Sequence, residues 1–209
     1  MPGAVDIRLV LFDYGGVLAE EGFRAGLMAI ARQAGLDPAA FFAMATEAVY
    51  TTGYVTGHGT EADFWQCLRQ QARLIGTDQE LTREILDRFV PRPGMLALVG
   101  SLRAGGLRTA ILSDQTNWLD ELEARQGFSR YFEKVCNSFH TGMSKRDPAT
   151  FTRTAMLLGE VPGRILLVDD NQGNTRRAER QGLHAHLFVS EPACQDALRA
   201  LGRLPGALA

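Results

Sequence analysis

The strongest constraint on the fold is a set of three short apolar runs, far apart in the chain, each ending on a polar residue. They are Ile7 to Phe12 before Asp13, Leu107 to Leu112 before Ser113, and Arg164 to Val168 before Asp169. Each has strand length, aliphatic or β-branched composition and almost no alternation, the pattern of strands covered on both faces. Helical periods lie between them. Pro93 to Ala104 sets Met95, Leu98, Val99 and Leu102 on one face and stops at Gly105-Gly106. Asp147-Pro148 supplies an N-cap and a proline at the first helical position for a helix closing at Gly159, and residues 174–181 read as another helix with Gly182 beyond its end. Strand, helix, strand, helix is the order of an α/β fold with a parallel sheet.

Residues from about 22 to 90 break this order. Helical stretches at 24–33, 38–50, 61–74 and 79–89 alternate with glycine-rich breaks and hold no strand pattern, so a helical insertion after the first strand is predicted. Near the C-terminus, His184 and His186 alternate in a strand-like LHAHLFV, and residues 192–209 read as a helix with a loose Pro-Gly tail.

Composition narrows the function classes. With 45% hydrophobic and 22% charged residues, the 209-residue chain can bury a sizeable core, and a formal charge of −2 gives no general attraction to nucleic acid or anionic membrane. Cys67, Cys136 and Cys194 show no metal or disulfide spacing. The N-terminus lacks a long apolar signal region and no stretch has membrane-span length, so a soluble, cytoplasmic protein without nucleic-acid or membrane partners is expected. Monomer and homodimer are both open.

In an open parallel sheet, ligands bind beyond the carboxyl ends of the strands, so Asp13, Ser113 and the Asp169-Asp170 pair should converge on one crevice. Taken alone, Asp13 reads more often as a turn or cap residue at a strand end before glycines; the other acids change that reading. Adjacent carboxylates repel one another unless a cation compensates, and three near one point suit Mg²⁺, a hard ion that takes oxygen ligands and tolerates phosphate in its shell. Lys145, just before the Asp147-Pro148 helix start, can hold a phosphate oxygen, and Ser113 with Asp114 can offer a hydroxyl and backbone N–H groups to the same anion.

Four segments in order, FDYGGVL, ILSDQTN, SKRDPATF and LLVDDNQGNTRRAERQGLHA, resemble the motifs of the haloacid dehalogenase superfamily of aspartate-nucleophile hydrolases. Their spacing, 100 residues from Asp13 to Ser113, 32 on to Lys145 and 24 to Asp169, suits a core interrupted by a cap, and the resemblance spans nearly the whole chain. It implies a Rossmann-like core (1–21 and 89–209), a helical cap domain (22–88), Mg²⁺, and hydrolysis of a small phosphorylated metabolite, a sugar phosphate among the options. Asp13 would attack phosphorus. The metal would rest on Asp13, the Gly15 carbonyl and Asp169 or Asp170, while Ser113 and Lys145 hold the phosphoryl group. Asn117 and Asn174 are further helpers, and Phe23 and Arg24 follow the first motif closely enough to line the cleft.

One departure stands out. Most phosphatases of this superfamily carry an acid/base Asp two residues after the nucleophile, where this chain has Gly15; a subgroup with DxGGV motifs also lacks it. General acid–base catalysis is worth about 10²–10⁴-fold, so a substrate with a good leaving group would need that Asp least. Two alternatives stay open: a 2-haloacid dehalogenase-like hydrolase, although its usual tyrosine two residues after the nucleophile is replaced by glycine here, and a protein that binds a phosphorylated ligand with little turnover. His58 and Tyr54 lie in a glycine-rich turn of the cap, and Trp65 and Trp118 are read as packing residues.

Overall fold

The computed structural model describes residues 6–201; the start of the chain and the tail expected after the last helix lie outside the described residues. The elements run β1 (Leu9–Phe12), α1 (Gly22–Gln33), α2 (Pro38–Thr51), α3 (Glu61–Gln71), α4 (Asp78–Leu86), α5 (Pro93–Ala104), β2 (Arg108–Ser113), α6 (Trp118–Gln126), β3 (Lys134–Asn137), α7 (Ser138–Thr141), α8 (Ala149–Leu157), β4 (Ile165–Asp169), α9 (Gln172–Arg180), β5 (His184–Leu187) and α10 (Glu191–Ala200).

The five strands form one parallel sheet in the order β3-β2-β1-β4-β5, with β1 at its centre. Alternate side chains of β1 enter different cores. Leu9 and Leu11 pack with Leu167, Phe151 and Ala178 on one face; Val10 and Phe12 pack with Ile111, Val168 and residues of α5 on the other. Both faces are covered, which is why the β1 sequence is an unbroken apolar run. Full burial of each such side chain favours folding by about 1.5–3 kcal/mol.

From β1 the chain goes to β2 on one side and later returns to β4 on the other, so the order reverses at the β1–β4 boundary. The register fixes what meets there. Phe12 pairs with Val168, and the Asp13 N–H donates to the Val168 carbonyl at 2.9 Å, so Asp13 and Asp169 emerge side by side. Strand β2 pairs with β1 through Ile111 and Phe12, which brings Ser113 to the same end.

The stretch between β1 and α5 holds α1–α4 and a short 3₁₀ turn at Tyr54–Thr56. Asp37 caps α2 at Ala40 N, and reciprocal capping boxes, Thr60 with Asp63 and Thr77 with Glu80, start α3 and α4. These helices dock on the sheet's loops: the Trp118 indole N–H donates to Glu61 Oε2 at 2.9 Å and the Tyr54 hydroxyl to Asn117 Oδ1 at 2.6 Å. Tyr54, Phe64, Trp65 and Trp118 form one aromatic cluster at this junction. Among the described residues, no helix is long and apolar enough to cross a membrane.

Several boundaries differ from expectation. The start expected at Asp147-Pro148 falls one residue later: Pro148 occupies the cap position, and Asp147 Oδ1 accepts from Ala149 N at 2.9 Å. Helix α9 starts two residues before the expected 174, because Asn171 Oδ1 accepts from Gly173 N and Asn174 N. Helix α3 stops at Gln71, where Ala72 turns extended.

Candidate active site

Each acid is delivered by a different backbone device. Asp13 is the first residue past β1. Its Oδ1 accepts from its neighbour's N–H, that of Tyr14, at 2.7 Å and from the Ser113 hydroxyl at 2.6 Å. Tyr14 is locked in turn: its ring lies 4.6 Å from that of Phe128 and its hydroxyl donates to Gln126 Oε1 at 2.5 Å. Asp169, the last residue of β4, is completely buried; its Oδ1 accepts from Asn171 N at 2.8 Å and from Asn174 Nδ2 at 3.0 Å. Asp170, the next residue, is exposed. It fits only because residue 16 is glycine: Gly16 has φ +78°, and a Cβ there would fall 2.1 Å from Asp170 Oδ2.

Lys145 ties these groups together. Only 1% of its side chain is exposed, and its Nζ lies 2.7 Å from Asp13 Oδ2 and 2.6 Å from Asp169 Oδ2. Burial pulls the ammonium's pKa down, but Asp13, Asp169 and Asp114 more than reverse this, so the group is held above its ordinary value. Two acids share that one ammonium. Burial, joined by the charges of Asp169 and Asp170 and opposed by Lys145, pushes the Asp13 carboxyl up to about 7.

The Lys145 backbone is fixed as firmly. Its N–H donates to Asp114 Oδ1 at 2.8 Å, and its carbonyl accepts from Arg177 Nε at 2.8 Å. Arg177 also donates to Asn174 Oδ1 at 2.7 Å, which links Lys145 back to Asp169. Asp114 accepts from the Tyr50 hydroxyl on α2 at 2.9 Å, and the Arg146 guanidinium stacks 3.5 Å from the centre of the Tyr50 ring. Arg146 also pairs with Glu47 at 2.9 Å, an exposed contact that contributes orientation more than stability.

In front of these groups lies a cavity of about 230 Å³. Asp13, Gly15, Lys145 and Asp170 form its floor; Phe23, Phe42, Thr46 and Tyr50 from α1 and α2 face them. Glu21, at the start of α1, lines the same space, and burial pushes its carboxyl up to about 7.

Oxygen atoms of Asp13, Asp169 and Asp170 all lie within 4.8 Å of one another, so this cluster could bind a metal ion. The donor set is all oxygen, which suits a hard divalent cation. Of the residues expected at the site, Asp13, Ser113, Lys145, Asp169 and Asn174 meet in one network of hydrogen bonds and ion pairs with Asp170 beside it, and Gly15, Asp114 and Phe23 line the cavity. The structure does not bring Asn117 or Arg24 there. Asn117 is occupied by Tyr54, and the Arg24 guanidinium lies over the Phe42 ring at 5.3 Å. His184 and His186 lie beside α10, at a separate hollow. Glu21, Tyr50, Arg146 and Arg177 are not singled out by the sequence; the signals available are that Arg146 lies inside the SKRDPATF segment and Arg177 inside LLVDDNQGNTRRAERQGLHA.

The family model described as "haloacid dehalogenase-like hydrolase" matches residues 7–176. The bifunctional epoxide hydrolase 2 of Rattus norvegicus is 28% identical over 126 residues, 57% of this chain and only 22% of that protein. A HAD family enzyme of Bacteroides thetaiotaomicron, in complex with magnesium and inorganic phosphate, superposes with a TM-score of 0.64 at 22% identity, covering 86% of this chain and 93% of that one. The L-2-haloacid dehalogenase of Xanthobacter autotrophicus with chloropropionic acid covalently bound gives 0.66 at 18% identity, covering 95% and 85%.

Proposed function

The chain belongs to the haloacid dehalogenase-like hydrolase family, and from that premise we propose that it is a Mg²⁺-dependent phosphatase acting on a small phosphorylated metabolite through an aspartyl-phosphate on Asp13. The observation that carries this reading is the Lys145 ammonium set between Asp13 and Asp169, with Asp170 beside them at the floor of an open cavity. One buried cation for three acids leaves the cluster short of positive charge, a deficit that a divalent ion would remove.

Asp13, Asp169, Asp170 and the Gly15 carbonyl would hold the ion, and when bound it supplies charge neutralisation for the incoming phosphate. The protein's own groups do the rest. Asp13 offers a carboxylate oxygen held in place by Tyr14 N and Ser113 Oγ. As that oxygen bonds to phosphorus, the Ser113 hydroxyl and the Lys145 ammonium are free to turn toward the phosphoryl oxygens, whose charge they stabilise. Phe23, Phe42 and Tyr50 line the same cavity and would pack against the leaving group.

A second reading, 2-haloacid dehalogenation, draws on the aromatic wall of the cavity, which suits a small apolar acid. The test is direct: phosphate release from an aryl phosphate, with and without Mg²⁺, beside chloride release from 2-chloropropionate. Mg²⁺-dependent phosphate release, abolished by Asp13→Asn, supports the phosphatase; halide release without Mg²⁺ overturns it.

A further inference from the structure

Cleaving the phosphate ester of an ordinary alcohol leaves an oxygen that needs a proton, and a positioned acid contributes about 10²–10⁴-fold to that step. This question rests on the phosphatase reading above. Most ionisable side chains around the cavity are already committed. Asp13 is the attacking group, and Lys145 is buried between Asp13 and Asp169. Asp114 accepts from Lys145 N, and the Tyr50 hydroxyl is spent on Asp114. Asp170 belongs to the acidic cluster. Arg146 and Arg177 do not release protons at neutral pH.

Glu21 remains. Its Oε2 accepts from Arg24 N at 2.6 Å, capping α1 and fixing the side chain's direction. Its other oxygen, Oε1, lies 3.9 Å from the point where a Cβ on Gly15 would stand, and has no hydrogen-bond partner among the described residues. Gly15 lies two residues after Asp13 and has no side chain, and the Glu21 carboxyl lines the same cavity as both, beside the space a side chain at position 15 would fill.

We propose that Glu21 is the general acid and base of this enzyme, reaching toward Gly15 from the N-cap of α1. In the first step an Asp13 oxygen bonds to phosphorus and the bond from phosphorus to the leaving oxygen breaks. Its electron pair stays on that oxygen, which takes the Glu21 proton and departs as the alcohol. In the second, water attacks phosphorus and gives a proton to the Glu21 carboxylate. The bond from phosphorus to Asp13 breaks with its electron pair returning to the carboxylate, and inorganic phosphate leaves. Ester and water become alcohol and phosphate, and both carboxyl groups return to their starting states.

Glu21→Gln tests the role, because its amide oxygen can still cap Arg24 N while the acidic proton is gone. The readout is kcat/KM in Mg²⁺ for two esters of similar size, p-nitrophenyl phosphate, whose leaving oxygen needs no proton, and benzyl phosphate, whose oxygen does. The expected result is a loss of about 10²–10⁴-fold on benzyl phosphate and of less than about tenfold on p-nitrophenyl phosphate, whose turnover also shows that the variant is folded. Equal losses on both esters, or no loss on benzyl phosphate, would overturn the role while leaving the phosphatase reading intact. Wild-type turnover of neither ester would overturn that reading and the role of Glu21 with it.

Discussion

Replacing Lys145 by Met removes the one buried charge that holds Asp13 and Asp169 together while keeping much of the side-chain volume. The Lys145 side chain is 1% exposed, that of Asp13 13% and that of Asp169 0%, so solvent does little to screen the two acids from each other. Two carboxylate charges about 4.8 Å apart, the bound on their oxygen separation, repel by about 3.5 kcal/mol at an effective dielectric constant near 20. That agrees with the about 3–5 kcal/mol lost when one partner of a buried ion pair is removed. For a chain of this length each kcal/mol lowers Tm by about 2–4 °C, so a drop of about 6–20 °C is expected. It should be measured by thermal circular dichroism at pH 8 in chelator, and the drop should shrink at pH 5.5, where one carboxyl can take a proton. A change below about 2 °C at pH 8, less than 1 kcal/mol on the same scale, would refute the claim that this ammonium balances the acids.

Other outcomes are expected from the same geometry. The Glu21 carboxyl is raised to about 7 when folded against about 4.3 in an unfolded chain, so the folded state binds its proton more tightly. The stability this contributes is present below about pH 4 and lost as pH rises through 7; denaturant titrations of Glu21→Gln and wild type should show the variant gaining relative stability from pH 5 to 8, and a constant difference would contradict the shift. Gly16→Ala combines a strained φ of +78° with a Cβ 2.1 Å from Asp170 Oδ2. It should cost about 1–2 kcal/mol of folding stability and weaken Mg²⁺ activation by displacing Asp170; unchanged half-saturation by Mg²⁺ would contradict this. Mg²⁺ should raise Tm more at pH 8 than at pH 5.5, and an equal rise with Asp169→Asn would place the ion elsewhere.

How much was legible in the sequence depends on what local patterns encode. Strands β1, β2 and β4 announce themselves because both faces are covered, and their last residues mark the sheet end where Asp13, Ser113 and Asp169 meet. Strand β3, KVCN, was missed: it is a four-residue edge strand beginning with an exposed lysine, too short and too polar to carry a pattern. Lys145 is legible from the expected carboxylate cluster and from its place in the SKRDPATF segment before a helix start. Its burial was not legible, since it depends on two acids that approach it only when the sheet assembles. Tyr50 and Arg146 meet the site through the docking of α2 onto loops about 60 to 100 residues away in sequence, and periodicity reports which face of a helix is buried, not against what. Asn117 shows the converse: it lies close after Ser113, yet the Tyr54 hydroxyl from the 3₁₀ turn takes its side chain.

The most direct test of Asp13 as a phosphoryl acceptor is a single turnover in ¹⁸O-labelled water, with enzyme in excess over an aryl phosphate and Mg²⁺ present, and mass spectrometry of both the phosphate and the Asp13 peptide. The account requires label in the phosphate and none in the peptide, because water attacks phosphorus. Label in the Asp13 carboxyl, appearing with halide release from a 2-haloacid, would mean that water attacks the carbonyl carbon of an ester intermediate, and it would contradict the account.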